Sequence, residues 1–249
     1  ALPRHRWLSR SRSPDVRLAR PLLWWGRGLA CAAGGLLLAT AARAQLGASI
    51  AVDSDYRYRG VSLSDSKPSA RLTLNYDAPE RWYAGASATR ATLTQDTYSQ
   101  WLGYAGWATA VVDGRSFEIG FDASHFTGVS GYDFAEAYAG ILAQRWSARL
   151  YYAPDYYGRH VQVVYAELNA HVPIDQQFRL FAHVGVLAPF GGAGGDADQS
   201  RSDVSAGAGL VVRGWDLHLA AVAATRRGPY PAVFGGRRAA LVAGASFSF

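Results

Sequence analysis

From Gly47 onward, apolar and polar residues alternate at period two in short runs. That is the pattern of strands with one apolar and one polar face. Twelve runs can be drawn, at 47–58, 69–77, 82–90, 99–112, 115–127, 133–142, 145–153, 160–172, 177–187, 202–212, 214–224 and 237–249. Most have about the 9–11 residues that carry a tilted strand across an outer membrane. The last decapeptide shows the pattern well. Leu241, Ala243, Ala245, Phe247 and Phe249 share one face, and Val242, Gly244, Ser246 and Ser248 the other.

The connections alternate in length. Residues 59–68, 91–98, 188–201 and 225–236 form long connections, and 128–132 and 154–159 intermediate ones. Between them fall short links at 78–81, Asp113-Gly114, Ala143-Gln144, 173–176 and Arg213-Gly214. Asp-Gly is a favoured tight-hairpin pair. Short turns on one rim and long loops on the other are expected of an up-and-down transmembrane barrel with both termini in the periplasm. A soluble sandwich gives no reason for that sorting. The predicted fold is therefore an all-β, single up-and-down antiparallel transmembrane β-barrel of about 12 strands.

The polar faces carry charge. Asp53, Asp55 and Arg57 oppose Ile50, Val52, Ser54 and Tyr56. Glu118 and Asp122 oppose Phe117, Ile119 and Phe121, and Glu167 opposes Ala166 and Leu168. A charge facing hydrocarbon costs about 2–4 kcal/mol near the bilayer midplane, so the charged faces are placed inward. Trp82, Trp101, Trp107, Trp146 and Trp215 lie near strand ends, where interfacial girdles sit.

Composition changes the picture only at the N-terminus. Residues 1–44 combine an arginine-rich segment, an apolar run from Leu29 to Ala41, and Ala42-Arg43-Ala44, which fits a small-x-small cleavage site. They are read as a signal peptide with an extended basic n-region, and 45–249 as the barrel. Eight of the 25 basic residues and one of the 19 acidic ones lie in this leader. The remaining 17 basic and 18 acidic residues give no argument for nucleic acid. Cys31 is the one cysteine and belongs to the leader, so neither disulfides nor cysteine-metal chemistry is expected.

Ser54-Asp55-Tyr56-Arg57-Tyr58-Arg59-Gly60-Val61-Ser62-Leu63-Ser64, followed by Lys67-Pro68, resembles the S-x-Y-x-x-R-G-x-S-x-S opening of the TorF family. That family is a Gcw-type group of outer-membrane proteins described as porins. The resemblance continues at Trp82-Tyr83-Ala84-Gly85, Glu136-Ala137-Tyr138-Ala139-Gly140, Tyr151-Tyr152-Ala153-Pro154-Asp155-Tyr156-Tyr157-Gly158 and Tyr165-Ala166-Glu167-Leu168-Asn169. It covers most of 47–187 and implies an outer-membrane channel without naming a solute. The ending with Gly244, Phe247 and Phe249 resembles the signal read by the barrel-assembly machinery, with Val242 where a polar residue is usual.

Twelve strands fall between barrels filled by side chains and barrels with an open aqueous channel. Asp53, Asp55, Arg57, Glu136 and Glu167 are the candidate pore-lining residues. The expected function is a narrow outer-membrane porin passing small polar solutes or ions. The alternatives are a non-conducting structural or adhesive barrel, or a lipid-modifying enzyme. Catalysis has little to rest on: no G-x-S-x-G or H-E-x-x-H motif occurs. His171 and His183 project inward from consecutive strands and are expected to approach each other. Gly191-Gly192-Ala193-Gly194-Gly195 lacks the lysine and helix of a phosphate cradle and reads as an outer loop, with Asp196 and Asp198 a weak calcium candidate. No cofactor or metal is expected. The expected partners are outer-membrane lipids and lipopolysaccharide, the assembly machinery and small solutes.

Overall fold

A computed structural model describes residues 45–93, 96–190, 199–225, 228 and 237–249. The leader, with Cys31 and the cleavage residues Ala42 and Ala44, lies outside the described residues, as do the 191–195 tract, Asp196 and Asp198.

Among the described residues, alternation at period two has produced fourteen strands. They are β1 (Gln45–Asp53), β2 (Arg57–Tyr58), β3 (Val61–Ser62), β4 (Ser69–Asp77), β5 (Trp82–Leu93), β6 (Asp96–Ala108) and β7 (Arg115–Thr127), followed by β8 (Phe134–Ala143), β9 (Trp146–Ala153), β10 (Gln162–Pro173), β11 (Phe178–Phe190), β12 (Arg201–Val212), β13 (Trp215–Ala224) and β14 (Ala239–Ser248). Twelve of them close into a barrel, each wall strand antiparallel to its neighbours in chain order, with β1 returning to β14. β2 and β3 form a separate two-stranded hairpin.

Two of the short links are tight turns of the expected kind. Asp113 and Gly114 have φ of 49° and 72°, and Arg213 and Gly214 of 50° and 84°. Left-handed backbone at both central positions matches the twist of the flanking strands. The faces sort as the pattern predicts. Ile119, Phe121 and Leu150 point out and are 61%, 64% and 53% exposed, whereas Glu118, Asp122 and Glu136 point in and are buried. Trp82 and Trp107 face each other across β5 and β6, and Trp215 faces Phe247 across β13 and β14. These aromatics mark the short-turn rim.

Three sequence expectations are corrected. The run 47–58 is not one strand: β1 leaves the wall at Asp53. There the Ser54 N–H donates to the Ala243 carbonyl at 2.8 Å, and the Ala243 N–H donates to Ser54 Oγ at 3.0 Å. The chain then turns into the bore. Tyr56, expected on the outer face, is buried, and so are Tyr58, Val61 and Leu63. Residues 59–68, expected as an outer loop, hold the second half of this inserted hairpin. The alternation was real, but period two does not distinguish a wall strand from a strand inside the barrel. Residues 91–98 are not a loop either. β5 and β6 pair as far as Leu93 and Asp96, with only Thr94 and Gln95 between them in sequence.

Among the described residues, a buried apolar cluster sits inside the cylinder, at the long-connection end. Hairpin residues Tyr56, Tyr58, Val61 and Leu63 pack there with Phe126, Phe134 and Leu187 of the wall. A 3-10 turn at Tyr156–Gly158 folds inward to join them, and Phe134 lies 5.1 Å from Tyr156 and 4.7 Å from Tyr157, ring to ring.

Candidate functional site

The candidate site is the bore and the hairpin that crosses it. The hairpin is internally braced. Asp55 accepts from Arg57 Nε at 2.7 Å and from Ser62 Oγ at 2.5 Å, and the Tyr56 N–H donates to Ser64 Oγ at 2.9 Å. Its tip, Arg59-Gly60, has φ of 49° and 73°. On one flank the Thr92 N–H of β5 donates to the Leu63 carbonyl at 2.9 Å. On the other, the tip meets β12 and β13 so closely that a Cβ at Gly60 would stand 2.7 Å from the Cβ atoms of Asp203 and Ala224. Arg57 reaches the Arg237 carbonyl at 3.0 Å. The segment therefore spans the bore from β5 to β13.

Arg59 anchors it. Its guanidinium donates to the two oxygens of Glu136 on β8 at 2.8 and 2.6 Å, and to the Tyr156 hydroxyl at 3.1 Å. Both side chains of the ion pair are almost wholly out of solvent. The guanidinium carbon lies 4.0 Å from the ring centre of Tyr165, 4.9 Å from Tyr58, 5.0 Å from Tyr151 and 5.6 Å from Tyr156. Fork-to-carboxylate geometry and aromatic faces are the two contacts a guanidinium makes best.

Toward the short-turn rim the bore is crossed by paired charges. Arg149 of β9 hydrogen-bonds Glu118 of β7 and lies 3.9 Å from Glu167 of β10. Tyr83 donates to Glu118 at 2.8 Å, and Tyr151 to Glu167 at 3.1 Å. Arg179 binds Asp216 at 2.9 Å. At the β1–β14 seam, Asp53 lies 3.6 Å from Arg71 and 3.4 Å from His218. Large inward side chains lie sideways over inward glycines of the next strand. Tyr165 crosses Gly185 so closely that a Cβ there would meet its hydroxyl at 2.0 Å. Beneath the hairpin a cavity of about 190 Å³ is lined by Arg57 and Arg59 on one side and Tyr165, Glu167, His183 and Asp203 on the other.

The five candidate pore-lining residues separate into two places. Asp53, Glu136 and Glu167 project inward from wall strands, whereas Asp55 and Arg57 belong to the hairpin. Asp55 and Arg57 pair with each other, Glu136 holds Arg59, and Glu167 faces Tyr151 and Arg149. Sequence reasoning passed over Arg59 and Tyr156, having placed both in outer connections. The signal available was the apolar content of 56–63, which is too high for an exposed loop. His171 and His183 are diagonal neighbours and not directly opposed: His171 is opposite Phe181, and His183 is opposite Asn169. His183 instead meets Asn169 at 2.6 Å, Asp203 at 2.8 Å and Tyr165 at 3.1 Å. Gly244 has a structural role of its own, since a Cβ there would stand 2.3 Å from both Asp53 Oδ1 and His218 Cε1. Phe247 packs against Trp215 at 5.3 Å and near Phe249 at 6.4 Å.

An apolar exterior, a charged and tyrosine-rich interior and a hairpin across the bore define a closed twelve-stranded β-barrel of the outer-membrane kind. The chain belongs to the family described as "Bacterial protein of unknown function (Gcw_chp)", which it matches over residues 39–239. Among solved structures the barrel resembles the KdgM porin, with 10% identity, TM-score 0.53, and coverage of 82% of this chain and 99% of that one. It also resembles the NanC porin, with 10% identity, TM-score 0.52, and coverage of 81% and 98%. At such identity the likeness is one of fold. No curated protein matches the sequence.

Proposed function

We propose that this chain is an outer-membrane porin of the TorF type, a narrow channel for small polar solutes or ions, with the 54–68 hairpin as its internal gate. The observation that carries the reading is the sorting of faces in a closed twelve-stranded cylinder: exposed Ile119, Phe121 and Leu150 outside, buried Glu118, Asp122 and Glu136 inside. A polar interior is unfavourable as a protein core and natural as the wall of a water-filled path. The two porins of similar fold support it. In this reading the short turns face the periplasm, the apolar belt meets outer-membrane lipid and lipopolysaccharide, and Gly244, Phe247 and Phe249 serve the assembly machinery. Residues 1–44 export the chain and are removed after Ala44. Asp53, Glu136 and Glu167 line the path, and Asp55 and Arg57 move with the gate.

The buried pair of Arg59 with Glu136 favours a second reading, a barrel kept shut for a structural role. Planar-bilayer recording separates the two. Stepwise conductance of wild-type protein, enlarged by Arg59→Ala, supports the gated channel. Silence of both proteins, with intact barrels by circular dichroism, supports the shut barrel.

A further inference from the structure

The contacts made by Arg59 have an unusual distribution. Apart from Tyr58 they all come from the wall and its inward turn: the Glu136 carboxylate, the Tyr156 hydroxyl and ring, and the faces of Tyr151 and Tyr165. The hairpin supplies the cation, and the barrel supplies the receptor. If the hairpin moves away, Tyr58 leaves with it, but the carboxylate and three tyrosines stay on the elements that hold them. A buried carboxylate without a counter-ion is strongly unfavourable, so the vacated site selects a cation.

Its geometry says which kind. Two carboxylate oxygens receive two parallel N–H donors at 2.8 and 2.6 Å, a pattern that fits a planar fork better than a tetrahedral ammonium. Tyr165, 4.0 Å from the guanidinium carbon, offers a flat aromatic face to a flat cation. The adjoining cavity of about 190 Å³ gives an alkyl tail somewhere to lie, and Glu167 and Asp203 line it together with Arg57 and His183.

We infer that Glu136, Tyr151, Tyr156 and Tyr165 form a binding site for an alkylguanidinium solute, and that Arg59 occupies it as a built-in ligand when the hairpin is seated. The solute and the gate then compete for one site. Arrival of the solute opens its own path. This assignment rests on the channel reading for its use in transport, but binding itself is measurable without conductance.

The test uses purified full barrel in detergent and methylguanidinium as the probe. In Arg59→Ala the site is vacant, and methylguanidinium should bind saturably in calorimetry. At ten times its dissociation constant it should raise the melting temperature by about 3–5 °C. Equal concentrations of methylammonium or sodium should do much less. Wild-type protein should show little binding, and Arg59→Ala/Glu136→Gln none. Arg59→Ser replaces Arg59→Ala if the latter does not fold. Equal effects of methylguanidinium on wild type, single and double variants would overturn the assignment, as would equal binding of methylammonium. Conductance without selective binding removes the site and leaves the channel. Selective binding without conductance keeps the site and removes the channel.

Discussion

Arg59 and Glu136 stand 77 residues apart in sequence and form a two-point ion pair inside the barrel, one partner on the hairpin and the other on the wall. Removing one charge strands the other in a buried place, which typically costs about 3–5 kcal/mol. Glu136→Gln should therefore destabilise the seated hairpin more than any surface carboxylate substitution, and should raise conductance. Replacing both residues by methionine should recover most of the lost stability, because no charge is left unpaired. Thermal unfolding of the single and double variants checks this. A double variant as unstable as the worse single would show that the pair is not the anchor.

The hairpin can also be unseated without touching that pair. Gly60 has φ of 73°, and a Cβ there would meet both Asp203 and Ala224 at 2.7 Å. Gly60→Ala adds the cost of left-handed backbone, about 1–2 kcal/mol, to an overpacking cost of about 1–3 kcal/mol. Bilayer recordings of Gly60→Ala should show more frequent or larger openings than wild type. Unchanged currents would mean that the tip does not govern the bore.

The wall has its own tight joint where Tyr165 crosses Gly185. Gly185→Ala should lower stability by about 1–3 kcal/mol, because the ring must move off a well-packed position. Adding Tyr165→Phe should relieve part of the loss by removing the hydroxyl that the new methyl meets first. Additive losses in the double variant, read from thermal melts in detergent, would contradict this contact.

One turn on the short rim is sensitive to acid. The backbone N–H groups of Phe178 and Gln177 hydrogen-bond the Asp175 carboxylate and hold its pKa below the ordinary 3.8. Because the folded value is the lower one, this contribution is present above the unfolded value and is lost as pH falls through the folded one. Asp175→Asn should melt below wild type at neutral pH, with the gap closing in strong acid. A gap that does not narrow at all as the pH is lowered below 3.8 would assign the effect to packing.

The wall was legible in sequence because its signal repeats. Glu118, Asp122, Arg149 and Glu167 fall on polar faces in strand after strand, and each projects inward. Asp113-Gly114 carries its own turn chemistry. The hairpin was not legible, because Tyr56, Arg57 and Tyr58 continue the alternation begun by Ile50 and Val52. What redirects the chain is the bond of Ser54 to Ala243, 189 residues away, and no local pattern announces it. The Arg59 site was hidden for the same reason: its parts come from 58–59, 136, 151–156 and 165. Thr92 and Tyr98 were assigned to a loop because polar residues there resemble an exposed connection, while cross-strand pairing carries β5 and β6 through it.

The departure of β1 at Asp53 ends its register with β14 at Asp53–Gly244, the seam running back through Ser49–Ser248 to the reciprocal backbone bonds of Ala48 and Phe249. Ser54, which starts the inward turn, takes its two backbone-directed bonds from Ala243, immediately beyond the last of those pairs. Docking of the final strand thus fixes the point where the chain enters the bore. Closure of the circumference and the inward bend of the chain therefore share one residue, Ala243, and the hairpin starts from a point held by the seam even when the rest of it moves.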